Sequence, residues 1–241
     1  MLLPVPIATH NRDLDRLYAL LAELDHRVGG YRCLHDCDGR MNWPARGVYF
    51  FFENGERRWW SQSRRLVRIG THALKVGSKT TLWGRLRQHK GTVGGERAGG
   101  GNRNGSVFRY HVGAAKIQAT GAESHLYRLW ISNRIDRPTR AALHTIETSV
   151  SRHIGAMPFL WLRVGDPPGP DSHRGYLERN IIGLVTRGYS SGVEEEPSPD
   201  WLGRHSPNET ISQSGLWNVN HVGEGYDPSS LDLLEEYVLS M

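Results

Sequence analysis

The sequence predicts an α+β fold: a small central, mainly antiparallel sheet flanked by helices as an α/β sandwich. Three observations carry that expectation. GVYFFFENGE (Gly47 to Glu56) and RRLVRIGTHAL (Arg64 to Leu74) read as two strands joined by a turn. MPFLWLRV (Met157 to Val164) reads as a third, buried strand. Around them, apolar residues recur at helical spacing in several long stretches.

The elements follow in order. Arg12 to Val28 is an amphipathic helix, with Leu14, Leu17, Leu20, Leu21 and Leu24 on one face and Gly29-Gly30 ending it. Tyr31 to Ala45 is a loop. Its Cys33, His35 and Cys37 match no common zinc half-site, so the expectation is tight packing against the core. Gly47 to Glu53 is a strand, Asn54-Gly55 a turn, and the return strand spans Leu66 to Gly70. Thr80 or Thr81 caps the next helix, which turns Leu82 and Leu86 inward. Gly91 to Gly105 is a glycine-rich, basic, mobile loop without the spacing of an ATP-binding P-loop. Ser106 to Val112 alternates as a strand, and helices follow at Glu123 to Ile135 and Thr139 to Ile154. A helix at Arg174 to Thr186 carries Glu178 as its one carboxylate. An acidic, Pro- and Ser-rich crossing at Val193 to Asn208 is anchored by Trp201 and Leu202, and Pro228 to Leu239 is a final helix.

Composition bounds the function. The chain has 241 residues, 38% hydrophobic and 23% charged, as expected of a globular protein with one elaborated domain or two small ones. No apolar run approaches the roughly 20 residues of a membrane span, and MLLPVPIATH lacks the basic start of a secretory signal. Two cysteines point to a reducing, cytoplasmic compartment. The net charge is +5, and arginine dominates the 30 Lys+Arg. Eight tryptophans and twelve histidines add stacking and titratable groups. Such a surface suits nucleic acid; a GC-rich genome also accounts for the arginines.

Phosphodiester cleavage needs a base, a cation against the phosphorane, and a carboxylate that holds a metal. Tyr49 on a strand, Arg85 and His89 at i and i+4 on one helix face, and Glu178 on a later helix supply one of each. Taken singly, each has a bland reading: a strand tyrosine, a solvated arginine, a histidine drawn to a helix C-terminus, a surface glutamate.

Taken in order, these residues resemble the GIY-YIG nucleases. Gly47-Val48-Tyr49 looks like the first motif and Arg68-Ile69-Gly70 like the second. Arg85 to His89 resembles the helix pattern, Leu177-Glu178 to Ile182 the glutamate helix, and Trp217-Asn218-Val219 the final asparagine element. The resemblance implies a metal-dependent DNA endonuclease with a core of about 45–91 and 157–220, interrupted by an insertion at 92–156. That insertion and the terminal helices look most like the family's type II restriction enzymes. Mg²⁺ or Mn²⁺ on Glu178, double-stranded DNA as substrate and a homodimer are implied with it. Tyr49 would be the base or orient the water, Arg85 would stabilise the phosphate, and His89 would assist Tyr49 or relay a proton. Asn218 would buttress the site, with Asn220 as competitor.

Arg68 departs from the pattern, because the family has a tyrosine there and arginine is no base at neutral pH. Either Arg68 contacts the scissile phosphate or His72 takes over the lost role. Arg87, Lys90, Arg97, Arg103 and His72 are the candidate DNA contacts. The loop Gly91 to Gly105, the segment Ser106 to Val112 and the region of Trp201 are candidate recognition surface. A structure-selective repair nuclease, or a DNA-binding module with altered catalysis, are the alternatives.

Overall fold

A computed structural model describes residues 7–58, 61–93, 100–121, 125–132, 134, 136–186 and 195–241. The chain runs α1 (Ile7–Val28), β1 (Arg32–Cys33), β2 (Gly47–Arg57), β3 (Arg64–Gly70), α2 (Leu82–Lys90) and α3 (Val107–Ala119). It continues α4 (His125–Ile131), α5 (Arg137–Gly155), β4 (Pro158–Arg163), α6 (His173–Thr186), α7 (Glu209–Ser214) and α8 (Ser229–Leu239). The four strands form one sheet in the order β1-β4-β2-β3, and every pairing is antiparallel. The α+β expectation holds.

Strand β2 lies in the middle, and both its faces are covered, which is why it reads as an unbroken apolar run. Val48, Phe50 and Phe52 point one way, into a core shared with α1, α6 and α8. Tyr49 and Phe51 point the other way, toward α2, α3 and α5. On the first face, Leu14, Leu17, Leu21 and Leu24 of α1 are all buried. Each removes enough apolar surface from water to contribute about 2 kcal/mol before entropy is counted. The second face joins Phe159 and Trp161 of β4 to Leu86, Phe108, Val112, Leu143 and Val150.

Three readings of the sequence are corrected. Asn54-Gly55 does not turn the hairpin: β2 runs on to Arg57, and its register with β3 slips between Phe52 and Arg57. Gly55, at φ +94°, sits in this irregular stretch. The turn comes later, closed by Gln62 N–H on Arg58 O at 2.9 Å and Arg58 N–H on Ser63 O at 2.9 Å. Long-range partners explain the extension. Glu56 pairs with buried Arg65 at 2.6 Å, and Glu53 accepts from the indoles of Trp201 and Trp217 at 3.0 and 3.2 Å.

Ser106 to Val112 is not a strand but the start of helix α3. Ser106 caps it by accepting from Arg109 N–H at 3.2 Å. Phe108, Val112 and Ala115 then recur at helical spacing on the core side, and this packing overrides the β-propensity of the segment. Gly113 lets α3 approach α4, because a Cβ there would overlap the Trp130 ring.

The loop Tyr31 to Ala45 also holds a short edge strand, in which Arg32 pairs with Phe159 and Cys33 with Pro158. Cys37 is buried in the core. The described part of the helix expected at 123–135 is α4. Residues 123, 124, 133 and 135 lie outside the described residues, as does the stretch 94–99 of the glycine-rich loop.

The crossing after α6 is tied to the hairpin by carboxylates. Glu195 accepts from Arg58 Nε at 2.8 Å and from Tyr18 Oη at 2.6 Å, and Glu56 accepts from Ser198 N–H at 3.1 Å. Trp201 is buried, as expected of an anchor. No helix among the described residues is long and apolar enough to cross a membrane.

Candidate functional site

Two glycines make room for Tyr49. Gly47 begins β2, and a Cβ there would strike the Leu162 carbonyl of the neighbouring strand. Gly70 lies directly across from Tyr49, and a Cβ there would overlap the tyrosine ring and hydroxyl. These glycines supply space, not unusual backbone angles. Tyr49 is fully buried and points toward α2.

Thr81 starts α2, its side chain accepting from Gly84 N–H at 3.0 Å. Leu82 and Leu86 pack inward and carry His89 to the sheet, where its Nε2 lies 2.9 Å from Tyr49 Oη. The other ring nitrogen, Nδ1, lies 2.7 Å from Ser106 Oγ. Burial holds the imidazole well below its usual pKa, and the charges of Arg85, Arg68 and Arg109 push the same way, so His89 is neutral. Arg85 is half-buried on the same face, and its Nη1 donates to Gln88 Oε1 at 2.9 Å.

Arg68 reaches the site from β3. Opposite Phe51 the strand bulges, so that Val67 and Arg68 both serve this face. The guanidinium lies over the Phe108 ring, 4.9 Å from its centroid, and Nη1 donates to Trp217 O at 2.5 Å. Its charge also faces Tyr49 and Glu178. Arg68 Nε is buried with no hydrogen-bond partner among the described residues.

Glu178 comes in on α6. That helix is placed by Arg174, fully buried one turn earlier, which pairs with Asp166 and donates to the carbonyls of His72, Ala73 and Val164. Glu178 Oε1 accepts from Thr71 N–H at 3.2 Å, just past the second glycine motif. Burial raises its carboxyl above the ordinary range, against the opposing pull of Arg68, His221, the Thr71 amide and Arg85. Among the described residues no three His, Cys, Asp or Glu side chains cluster as a metal site. A divalent cation held by one carboxylate, with waters completing its shell, fits Glu178.

Asn218 is buried and grips β3 at both polar atoms: Oδ1 accepts from Ile69 N–H at 3.1 Å and Nδ2 donates to Ile69 O at 2.8 Å. Its competitor Asn220 is exposed. His221, unforeseen from the sequence, follows with φ +64°, its Nδ1 3.1 Å from Glu224 Oε1.

The expected DNA contacts separate. Arg87 is exposed on α2. Lys90 is half-buried and donates to Cys37 O at 2.6 Å. Arg97 lies outside the described residues. Arg103 is corrected: it is buried and donates to the carbonyls of Leu129, Trp130, Ser132 and Arg134, so it caps α4 instead of facing DNA. His72 is buried and held near pKa about 4 by burial, and so is no cation at neutral pH. Ser106 and Arg109 were missed, hidden by the strand expected there; a serine just before an apolar run was the available signal of a helix start.

A phenol against a neutral imidazole and a guanidinium, facing one carboxylate across the two glycine-bearing strands, is a distinctive arrangement. The family model of the GIY-YIG domain matches residues 8–241. The chain belongs to the GIY-YIG family. Membership makes it a nuclease domain, a hydrolase that acts on DNA. No curated protein and no solved structure matches the chain.

Proposed function

We propose that this GIY-YIG protein is a metal-dependent, sequence-specific DNA endonuclease of the restriction type, working as a homodimer. The observation that carries the catalytic reading is the buried Tyr49 hydroxyl, 2.9 Å from His89 Nε2, with the Arg68 charge facing both Tyr49 and Glu178. Tyr49 passes its hydroxyl hydrogen to His89 Nε2, 2.9 Å away, and its oxygen then orients the attacking water and takes the water's proton. Arg68 and Arg85 set two positive charges against the phosphate as negative charge builds on it. The buried, unpartnered Arg68 Nε is a donor ready for a phosphate oxygen, so the arginine that replaces the family's second tyrosine serves as a phosphate ligand.

Glu178 would hold Mg²⁺ or Mn²⁺. When bound, the cation supplies Lewis acidity and stabilises the leaving oxygen. Asn218 holds β3, and with it Arg68, in place. Arg87 on the exposed side of α2 is a backbone contact for duplex DNA. Residues 1–241 act as one elaborated domain, since α3 and α5 of the insertion share a core with Tyr49 and Phe51. Cutting both strands with one site per chain requires two chains.

The test is incubation of purified protein with plasmid in Mg²⁺. Wild type gives discrete fragments, while Tyr49→Phe and Glu178→Ala lose roughly 100-fold or more in rate. Fragments at random positions, or cutting confined to flaps and forks, would remove the restriction reading. Salt-sensitive binding without any cutting would leave a binding module. Metal binding is read separately by thermal unfolding. Mg²⁺ at about ten times its Kd adds about 1.4 kcal/mol, or a few degrees, to wild type and nothing to Glu178→Gln.

A further inference from the structure

A pocket of about 190 Å³ opens beside the site, lined by Asn42, Trp43, Pro44, Trp161, Arg163 and Met241. Its walls are indoles. Trp43 and Trp161 meet edge to face, with 5.1 Å between centroids and 61° between planes, and so form a corner. Trp43 is backed by Trp83 of α2, stacked at 5.3 Å, and its Nε1 donates to Asp38 O at 2.7 Å. Gly39 packs so closely on Trp83 that a Cβ there would overlap the indole. The corner is therefore fixed before anything enters it, which spares a ligand the cost of ordering it. Trp161 pairs in register with Tyr49 and Arg163 with Gly47, so both leave β4 on the face that carries Tyr49. The Gly47 carbonyl accepts from Thr71 Oγ1, and Thr71 N–H donates to Glu178. Pocket and carboxylate thus share one end of the sheet, with β2 between them.

We propose that this pocket receives one unpaired nucleobase of the DNA on which the chain acts. Four properties select that ligand. The walls are flat and aromatic, and every base offers a π-face to such walls whatever its identity. The Asn42 amide is exposed at the rim, and its donors and its acceptor are unspent among the described residues. An amide suits the mixed donor and acceptor edge that a base presents once its partner is gone. The charge is positive. Arg163 spends Nη2 on Ser240 O at 2.7 Å and has no carboxylate partner among the described residues, and exposed Arg32 lies over the Trp161 ring at 5.6 Å. No Asp or Glu lines the pocket, so a phosphate beside the base is welcome and a cationic ligand is not. Finally, about 190 Å³ falls below the ~300–1,000 Å³ of pockets that hold drug-sized ligands, which leaves room for one base and not for a pair. A base stacked in a duplex keeps its faces covered, so the ligand is a base that has left the stack.

This rests on the chain binding DNA, not on metal-dependent cleavage. The test compares three short duplexes bound by the intact protein in EDTA at one salt concentration. One is fully paired, one carries a single bulged adenine, and one carries the same bulge without its base. Wild type should bind the bulged adenine roughly 10- to 100-fold more tightly than the paired duplex. The bulge without a base keeps the flexibility but offers nothing to the indoles, and should bind like the paired duplex. Asn42 and Arg163 are exposed, so Asn42→Ala and Arg163→Ala should stay folded by thermal unfolding. Each should bring the ratio of bulged to paired affinity toward one. Equal wild-type affinities for the bulged adenine and the paired duplex overturn the proposal, and so does equal affinity for the two bulges. A preference that survives both substitutions overturns it too. If plasmid is cut in Mg²⁺ but no preference exists, the pocket fails and the nuclease reading stands. If the preference exists and depends on Asn42 but nothing is cut, the nuclease reading fails and the pocket stands.

Discussion

Asn218 binds Ile69 as a neighbouring strand would, accepting from its N–H at 3.1 Å and donating to its carbonyl at 2.8 Å. With Trp217 N–H on Val67 O at 2.7 Å, it finishes the outer edge of β3, which has no further strand beside it among the described residues. Asn218→Ala leaves the two buried Ile69 groups unpaired. Urea unfolding should show a loss of about 1–3 kcal/mol. Cleavage should fall with it, because Arg68 is one residue away.

Gly70→Ala places a methyl group against the Tyr49 ring. The expected loss is about 1–3 kcal/mol, together with displacement of the hydroxyl from His89. A double-mutant cycle checks the cause. In a Tyr49→Ala background the ring is gone, and the same Gly70→Ala change should become nearly harmless.

His72 and His111 are both held at pKa about 4, mainly by burial, with nearby arginines adding to it. A depressed histidine binds more protons unfolded than folded between pH about 4 and 6.5. Stability should therefore rise as pH rises through that window, and the contribution is lost as pH falls toward 4. Urea midpoints at pH 4.5, 5.5 and 7 measure the slope, and His72→Gln with His111→Gln should flatten it. An unchanged slope in the double variant would show that other groups carry it.

Arg103 and Arg87 are predicted to fail in opposite ways. Arg103→Ala uncaps α4 and leaves buried carbonyls without a donor, a loss of about 1–3 kcal/mol. Its salt dependence of DNA binding should match wild type. Arg87→Ala should unfold like wild type, bind DNA more weakly at every sequence, and lower the salt slope by about 1. Titrations at two salt concentrations separate the two.

The parts of the site legible from sequence were those set by neighbours along the chain. The run from Val48 to Phe52 reads as a strand from its β-formers alone, and Thr80 or Thr81 as the cap of α2, which the structure gives to Thr81. Arg85 and His89 share a face by spacing alone. What stayed hidden depends on partners far away in sequence. Arg103 resembles a phosphate contact until α4 arrives beneath it. Ser106 to Val112 looks like a strand until Ser106 serves as a helix cap and Phe108 packs on Phe51. Gly55 looks like a turn until Glu56 finds Arg65 nine residues on. Arg68 was visible as an exception, but its contacts with Phe108 and Trp217 were not.

The carboxylates Glu53, Glu56 and Glu195 hold the crossing that delivers Trp217 and Asn218 to β3. During synthesis, residues 47–89 leave the ribosome well before that crossing exists. Tyr49, Arg68 and His89 are then all present, but β3 still lacks the side chain that steadies its edge. Asn218 arrives later still, on a crossing whose Ser198 and Trp217 are held by Glu56 and Glu53. The order of the chain thus builds in a delay: the groups assigned to cleavage under the proposed function precede the brace that steadies β3.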